Sequence, residues 1–376
     1  MAYIYQLSVW PEFVWQQDQI GGLLATLRYR QGRLIGRMEG LGFNLQAEAN
    51  LQTLTLDVLK TSEIEGELLN ADQVRSSIAR RLGMDIAGLV PADRHVEGIV
   101  ELMLDATQQH SQPLSEDRLF GWHAALFPTG RNGMHKIVVG GWRNNTSDDP
   151  MQVVSGPMGK ERVHYEAPEA EHLPSEMKQF ISWFNEDGAI DAVIKAAIAH
   201  LWFVTIHPFD DGNGRIARAI ADMQLARADG TSQRFYSMSA QIRKERKEYY
   251  DILEATQKGS LDITKWLTWF LQCLDHAVAV TDETLASVLK KARFWEKHRG
   301  TSLNDRQRNM LNKLLDGFEV NLNTSKWAKI AKTSQDTALR DIQDLVNKEI
   351  LEKQAGGGRS TSYILSELLG PDRSNE

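Results

Sequence analysis

Apolar residues recur three and four positions apart along most of the chain, and this spacing places them on one face of an α-helix. We therefore predict a mainly α-helical protein. The segments with this spacing are residues 20–34, 51–69, 96–106, 176–184, 193–204, 216–228 and 263–280. Glycine and proline cluster where these helices should end, at residues 128–130, 140–141, 156–157 and 356–358.

Two parts of the chain depart from the helical spacing. Between residues 133 and 168, short β-prone pieces at 136–139, 152–155 and 162–165 predict a hairpin. Toward the C-terminus the pattern predicts three helices and then strand, turn and strand, which is the order of a winged helix-turn-helix. These elements are predicted at residues 305–315, 324–331, 334–349, 350–354, 356–358 and 362–365.

The patterns divide the chain into four predicted regions. Residues 1–92 form an N-terminal helical region, and residues 93–280 form a central helical core. A connecting helix over residues 281–300 then leads to a winged-helix-like module over residues 301–376.

Composition limits the compartment and the class of protein. The chain has 376 residues, of which 42% are hydrophobic and 25% charged, a globular composition long enough for more than one core. A single cysteine, Cys273, excludes an intrachain disulfide framework, and the first residues lack the pattern of a secretory signal. We therefore expect a cytoplasmic protein. The most apolar stretch, 192–206, contains Lys195 and His200 and is shorter than the ~20 residues of a membrane helix, so we expect no membrane span.

Residues 207–218, with the sequence HPFDDGNGRIAR, carry the strongest chemical signal. Gly212 and Gly214 flank Asn213 just before a periodic run, which predicts a tight turn at a helix N-terminus. Such a turn directs backbone N–H groups to a common point, and the helix dipole adds positive charge there. Arg215 and Arg218 project from the first turn of the same helix, and guanidinium groups match phosphate oxygens. Polyphosphate is therefore the predicted ligand, against the alternative of an ordinary helix start with solvated arginines.

Two residues before the turn complete this chemistry. Asp211 supplies a carboxylate that suits a Mg²⁺ bridging phosphates. His207 is the nearby side chain in the sequence that can accept a proton near neutral pH, so we expect it to deprotonate an incoming hydroxyl. A zinc site of His200, His207 and Asp211 is an alternative, but no third imidazole or thiolate lies nearby, and His200 in an apolar helix is typical of a core position.

This segment is similar to the Fic motif, His-x-Phe-x-(Asp/Glu)-Gly-Asn-Gly-Arg-x-x-Arg, at each defined position. The resemblance implies a helical Fic core with a β-hairpin flap. It also implies transfer of AMP from ATP to a Ser, Thr or Tyr hydroxyl of a target protein or of the chain itself, with release of pyrophosphate. The target is unknown. In the related Doc kinases a lysine replaces the second glycine, so Gly214 favours AMP transfer over phosphate transfer.

The resemblance also implies a role for each motif residue. It implies His207 as the base, Phe209 as a buried anchor and Asp211 as the ligand of Mg²⁺ or another divalent cation. The other implied nucleotide-binding residues of the motif are Gly212, Asn213, Gly214, Arg215 and Arg218.

Two flanking segments extend the resemblance. Residues 161–168 resemble the flap that aligns the target, with Val163, His164 and Tyr165 as its predicted residues; the alternative is a plain surface hairpin. Tyr249 and Tyr250 resemble the tyrosine pair whose second member contacts adenine, although both are also typical of core positions. Gln257 stands where many relatives have asparagine, and we expect it to bind nucleotide.

Residues 61–66 resemble the inhibitory (Ser/Thr)-x-x-x-Glu-(Gly/Asn) motif of Fic proteins, in the class whose inhibitor helix precedes the core. The resemblance implies that Glu65, with Thr61 and Gly66, holds Arg218 away from the γ-phosphate of ATP. We expect a bidentate carboxylate–guanidinium pair. The alternative is a solvated helix face. Some relatives use the same glutamate to remove AMP from a target, so a de-AMPylating hydrolase is a second functional hypothesis.

The C-terminal module has little excess of positive charge. Residues 301–365 contain ten Lys and Arg and eight Asp and Glu. The predicted recognition helix is mainly acidic, which is a poor surface for a phosphate backbone. We therefore favour protein contact or homodimer assembly over DNA for this module. A transcription regulator whose Fic core only senses nucleotide remains a further hypothesis.

Overall fold

The computed structural model describes residues 2–41, 43–84, 89–146, 148–156, 160, 162–188, 190–315, 322–354 and 361–366, without the side chains of residues 43–44 and 282–292. The chain forms two compact units, Met1–Thr281 and Asp282–Glu376. None of the described helices is both long and apolar enough to cross a membrane.

The first unit is built from helices, which confirms the mainly α-helical prediction. They are α1 (Gln17–Glu39), α2 (Phe43–Ile64), α3 (Ala71–Arg81), α4 (Arg94–Gln108), α5 (Glu116–Leu126), α6 (Leu173–Asn185), α7 (Ala192–Ile206), α8 (Asn213–Asp229), α9 (Met238–Lys244), α10 (Arg246–Gln257) and the part of α11 (Thr264–Lys297) before residue 282. Helix α11 covers both the predicted core helix 263–280 and most of the predicted connecting helix, because residues 264–297 contain neither glycine nor proline.

Helices α7 and α8 pack against each other in the core of this unit, and α1, α2, α4 and α5 also contact α8. Every residue of α7 from Val193 to Ile206 is buried. A helix that is apolar on all sides is stable only when other helices surround it. The segment that joins α7 to α8 is therefore held at both ends by the core.

Helix α2 ends five residues earlier than predicted. Gly66 adopts a positive φ of 85°, and the N–H of Glu67 donates to the carbonyl of Ser62 at 3.0 Å, which turns the chain out of the helix. Leu68, which the apolar spacing placed on the helix, is 85% exposed. The turn directs residues 65–67 toward α8.

Helix α3 was not predicted, because its buried face is partly polar. Ser76, Ser77 and Ala79 are buried there and give no apolar spacing. The start of the helix is nevertheless encoded locally, since the side chain of Asn70 accepts a hydrogen bond from the N–H of Gln73 at 3.0 Å. Helices α5, α9 and α10 were likewise not predicted.

Two short hairpins lie between α5 and α6. Strands β1 (Arg131–Asn132) and β2 (His135–Lys136) pair antiparallel, as do β3 (Gln152–Ser155) and β4 (Arg162–Glu166). The predicted strand at 136–139 is wrong beyond residue 136. The N–H of Val138 donates to Oδ2 of Asp210 at 2.8 Å instead of joining a sheet.

The second unit contains α12 (Asp305–Leu315), α13 (Thr324–Ile330), α14 (Gln335–Asn347) and the antiparallel strands β5 (Leu351–Lys353) and β6 (Tyr363–Leu365). Trp327, Ile342 and Leu345 lie in its buried core. These elements follow the predicted order. The predicted turn at 356–358 lies outside the described residues.

Candidate active site

The loop between α7 and α8 begins and ends with a residue in the left-handed conformation. His207 ends α7 in the left-handed conformation, with φ 52° and ψ 58°, and its N–H donates to the carbonyl of Phe203 at 2.9 Å. Gly212 precedes α8 with φ 79°, and a Cβ there would lie 2.9 Å from a ring carbon of Phe127. Both conformation and space therefore require glycine at this position.

Asn213 and Phe209 close the loop. Oδ1 of Asn213 accepts from the N–H of Phe209 at 3.0 Å, and Nδ2 donates to the Phe209 carbonyl at 2.7 Å. The ring of Phe209 is buried, stacks on His123 at 4.2 Å and lies 5.2 Å from the ring of Trp142. The tight turn before a helix N-terminus is thus present, and Phe209 is buried as predicted.

His207 is held in the form that can accept a proton. Nδ1 lies 3.2 Å from the carbonyl oxygen of Val204; since a carbonyl only accepts, Nδ1 carries the proton and Nε2 carries the lone pair. Burial lowers the pKa of His207 to about 4, and the charge of Arg143 acts in the same direction, while Asp211 and Glu65 oppose it. At pH 7 the ring is neutral.

Asp211 is fixed through both carboxylate oxygens. Oδ1 accepts from the N–H of Gly212 at 2.5 Å, and Oδ2 accepts from the side-chain amide of Asn132 in β1. The zinc alternative does not fit. Among the described residues, three potential metal ligands come close together at Glu169, Glu171 and His172, which are exposed. His200, His207 and Asp211 do not form such a group.

The structure brings Arg218 to the predicted inhibitory segment. The Arg218 side chain is 2% exposed, and its Nη2 donates to Oε1 of Glu65 at 2.6 Å. Nε donates to Oγ1 of Thr61 at 2.7 Å, and Nη2 also donates to the Thr61 carbonyl at 3.0 Å. The expected bidentate pair is wrong: Thr61 takes Nε, so Glu65 makes one hydrogen bond.

Gly214 allows the close approach of Glu65 to α8. A Cβ on Gly214 would lie 2.4 Å from Oε1 of Glu65. The second glycine of the motif thus provides room for the carboxylate of the predicted inhibitory segment, in addition to its predicted place in the phosphate cradle.

A second carboxylate, which the sequence analysis missed, contacts the other arginine of the motif. Nη1 of Arg215 donates to Oε2 of Glu67 at 3.1 Å, and the guanidinium lies over the ring of Phe127 at 5.2 Å. Nε2 of His95 contacts the other oxygen of Glu67 and, as the largest cause, lowers the pKa of that carboxyl. The signal available in the sequence was a second glutamate two residues after Glu65.

These groups line one cavity of about 520 Å³. Its lining includes Glu65, Glu67, His95, Asn132, Asp211 and Arg215. The predicted metal ligand, one predicted phosphate ligand and both carboxylates of residues 65–67 therefore face the same space.

The predicted flap residues lie in β4, but they differ in exposure. Val163 is 41% exposed, whereas the hydroxyl of the buried Tyr165 donates to the carbonyl of Thr205 at 2.6 Å. A β-bulge leaves His164 as the extra residue of β4, so Val163 and Tyr165 do not share a face. Nδ1 of His164 lies 2.7 Å from Oε2 of Glu254 in α10. Val163 is thus exposed on the surface of the hairpin, and Tyr165 anchors the hairpin to the core.

The residues predicted near adenine also separate. Tyr249 is buried, with its hydroxyl 2.9 Å from Nε2 of the buried His200, so both are core residues. Tyr250 is 38% exposed, and its ring lies 5.2 Å from the guanidinium of Arg246. Gln257 is buried, and its amide nitrogen lies 3.4 Å from the carbonyl of Val204. The side chain of Gln257 therefore packs against the last turn of α7.

Comparison with known families identifies the class of this domain. Residues 113–225 match the Fic/DOC family, and residues 3–84 match a domain of unknown function, DUF4172. The chain therefore contains a Fic/DOC-family domain.

Curated relatives match over part of their length. The chain is 33% identical over 93 residues to protein adenylyltransferase fic-1 of Caenorhabditis elegans, covering 24% of this chain and 17% of the relative. It is 26% identical over 226 residues to protein adenylyltransferase Fic of Drosophila virilis, covering 57% and 40%. The chain thus spans less than half of the length of these relatives.

Solved structures support the fold. A Fic family protein from Desulfovibrio desulfuricans G20 aligns over 97% of this chain and 98% of its own, with a TM-score of 0.52 and 20% identity. A Fic domain containing signaling protein from Bacteroides thetaiotaomicron aligns over 68% and 95%, with a TM-score of 0.50 and 19% identity.

Proposed function

We propose that this chain is an autoinhibited protein AMP-transferase, which moves AMP from ATP to a hydroxyl of a target protein or of itself. The observation that carries the proposal is the position of Glu65 on Arg218, inside a complete Fic motif. The curated relatives that match this chain are named protein adenylyltransferases.

In the proposed reaction the hydroxyl oxygen of a Ser, Thr or Tyr attacks the α-phosphorus of ATP. The bond from this phosphorus to the oxygen that bridges to the β-phosphate breaks, and pyrophosphate leaves. The hydroxyl proton moves to Nε2 of His207, which is the unprotonated nitrogen when Nδ1 donates to Val204. Because the ring is neutral at pH 7, no prior proton loss is needed.

The N-terminus of α8 would bind the phosphates. The helix starts at Asn213, its first backbone N–H groups are not used within the helix, and the helix dipole favours an anion there. Arg215 and Arg218 would neutralise the triphosphate once they are released from their carboxylates.

Asp211 fits a divalent cation, because one hard carboxylate beside a phosphate site is the usual protein contribution to Mg²⁺ binding. Asn132 and Gly212 hold the carboxylate in one orientation. The cation would supply positive charge against the phosphate oxygens.

Autoinhibition would come from two carboxylates in the phosphate cavity. Glu65 occupies Arg218 and Glu67 occupies Arg215, so the anionic triphosphate must displace both or bind out of place. A hydrogen bond to a charged group contributes about 1.5–3 kcal/mol, before screening by solvent. Both carboxylates are about one-third exposed. Solvent therefore weakens the two ion pairs, and the triphosphate can displace the carboxylates.

AMP removal is a second candidate activity of the same site. Glu65 uses Oε1 for Arg218, which leaves Oε2 as the oxygen that could orient a water beside the phosphate cradle. Release of AMP from a modified target by the wild type, but not by Glu65→Gly, would support it.

The experiment is to incubate the Glu65→Gly protein with α-labelled ATP, Mg²⁺ and cell lysate. We expect labelled protein bands that are absent with the Glu65→Gly, His207→Ala double variant. Equal labelling by these two proteins would contradict the proposal, because label would then be incorporated without the proposed base.

A further inference from the structure

Arg143 lies in the stretch between β2 and β3 and makes an unusual set of contacts for a buried charge. It is 2% exposed. Nε donates to the carbonyl of His207 at 2.7 Å, Nη2 donates to the carbonyl of Pro168 at 2.5 Å, and Nη1 donates to Oδ1 of Asn145 at 2.6 Å. Among the described residues no carboxylate lies within 4.0 Å of this guanidinium to form a salt bridge. Its charge is therefore solvated directly by neutral oxygens, and the Asp210 carboxylate favours the charged form from a longer distance.

These contacts converge on the backbone around His207. The carbonyls of Ile206 and His207 accept from the Arg143 side chain, at 3.5 and 2.7 Å, and the carbonyl of Pro208 accepts from its backbone N–H at 2.9 Å. His207 has a positive φ, a conformation that a residue with a Cβ keeps only when its surroundings hold it. Three consecutive carbonyls held by one residue fix the peptide planes on both sides of His207, and with them the direction of its ring.

The same guanidinium reaches the base of the flap. Strand β4 ends at Glu166, and the Pro168 carbonyl that accepts from Nη2 follows two residues later. Arg143 therefore joins the backbone that leaves the target-facing hairpin to the backbone of the proposed base.

We propose that Arg143 is a positioning residue for AMP transfer, which orients His207 and keeps the flap in register with it. The inference rests on the proposed function. Arg143 does not line the cavity that holds Asp211 and Arg215; it acts through the carbonyls of residues 206–208 and of Pro168.

The charge of Arg143 has a separate, measurable consequence. It lowers the pKa of His207, whereas the other charged groups that act on this ring, Asp211 and Glu65, raise it. Burial lowers the pKa of Arg143 itself to about 10, so it remains charged at pH 7. Removing this charge should raise the pKa of His207. Because exposing the ring to solvent would raise this pKa as well, the charge-conserving Arg143→Lys variant is needed to separate the two causes.

The test uses the Glu65→Gly protein as parent, with Arg143→Met and Arg143→Lys. Arg227→Met is the matched control, because Arg227 also donates to backbone carbonyls, those of His110 and Gln112, and lies at the far end of α8. We measure kcat and KM for ATP across pH, the melting temperature, and the His207 titration by NMR.

We expect Arg143→Met to lower kcat at least about tenfold, since misplacing a reacting group by an ångström can cost more than that. KM for ATP should change less than about threefold, because the phosphate ligands are untouched. Arg143→Lys should lose part of kcat, because one ammonium cannot reach all the carbonyls, while the pKa of His207 stays low. Arg227→Met should keep kcat at an equal loss of melting temperature.

Two results would overturn the proposal. One is an equal kcat loss in Arg143→Met and Arg227→Met variants with the same melting temperature. The other is an unchanged pKa of His207 in Arg143→Met. If Arg143→Met does not fold, a kcat of Arg143→Lys equal to that of the parent would overturn the proposal. An inactive parent would contradict the proposed function. The NMR titration needs no activity, so the pKa of His207 in Arg143→Met and Arg143→Lys would still show whether Arg143 acts on the His207 ring.

Discussion

The two ends of the Fic motif are held in different ways. The loop from His207 to Asp211 is held without carboxylate partners: carbonyls of the loop bond to Arg143, the Asn213 side chain bonds to the backbone of Phe209, and the Asn132 amide bonds to Asp211. The arginines of α8 are held by carboxylates, Glu67 on Arg215 and Glu65 on Arg218.

The difference indicates which parts are permanent. Phosphate oxygens can replace a carboxylate on a guanidinium, because both accept the same pair of hydrogen bonds. They cannot replace the carbonyls and amides of the loop, because these groups belong to the segment that Arg143 and Asn213 hold. We therefore expect His207 and Asp211 to remain in place at all times, and the two arginines to exchange partners.

The largest expected effect comes from removing the base in the permanent part. His207→Ala in the Glu65→Gly background should lower AMP labelling at least about 100-fold, because general base catalysis contributes that much or more. ATP affinity, measured by calorimetry, should be unchanged, since His207 is not a phosphate ligand. Retained labelling would contradict the role given to the loop, because His207 would then not act as the base.

The next effect concerns the exchangeable part. Glu65→Gly should raise the labelling rate about 10- to 100-fold, the change that corresponds to a charged hydrogen bond of about 1.5–3 kcal/mol. The matched control is Glu63→Gly, the same change two residues earlier, where the carboxylate contacts Lys60 and Arg243 rather than the motif. An equal increase in both variants would mean that a loosened helix end, rather than release of Arg218, activates the protein.

Acid should unfold the protein in part through two buried, neutral histidines, His123 and His200. Burial lowers the pKa of His123 to about 4 and that of His200 to about 3, so the unfolded chain binds protons at a pH where the folded protein does not. Stability is then lost as the pH falls from about 6.5 toward 4, by at most about 1.4 kcal/mol per pH unit for each histidine.

Urea unfolding at pH 7, 6 and 5 measures this slope. His200→Phe should reduce the slope, whereas the control His135→Gln removes an exposed imidazole from β2 and should not. An identical slope in the wild type and His200→Phe would contradict a neutral, buried His200.

The smallest effect separates the two carboxylates. Glu67→Gln should lower KM for ATP about threefold in the wild-type background, since a pair that is about one-third exposed contributes under about 1 kcal/mol. Glu97→Gln is the control, because Glu97 contacts Arg80 and Arg81 instead. A larger activation by Glu67→Gln than by Glu65→Gly would mean that Glu67 restrains the site more strongly than Glu65 does.

The local part of the site was predictable from the sequence. The spacing of Gly212, Gly214 and the two arginines predicted a turn at a helix start, and α8 begins at Asn213. The strand at 152–155 was also predicted with its observed bounds. Such features depend on residues within a few positions of each other, so a single sequence contains them.

The parts that were missed depend on contacts between distant segments. Glu67 and Arg215 are 148 positions apart, and Arg143 and His207 are 64 apart, so neither contact leaves a periodic signal. Tyr165 was assigned to the flap from the resemblance of residues 161–168, and this segment alone does not show the bulge at His164, which depends on pairing with β3. The bidentate pair failed because Thr61 competes for Nε of Arg218.

The central claim is that this site transfers AMP and that Glu65 restrains it. The most direct measurement compares incorporation of label from α-labelled and γ-labelled ATP into protein by the purified wild type and the Glu65→Gly variant. The account predicts α-label in protein, at least about tenfold more with Glu65→Gly, and no γ-label with either. Incorporation of γ-label, or equal α-label from both proteins, would contradict it.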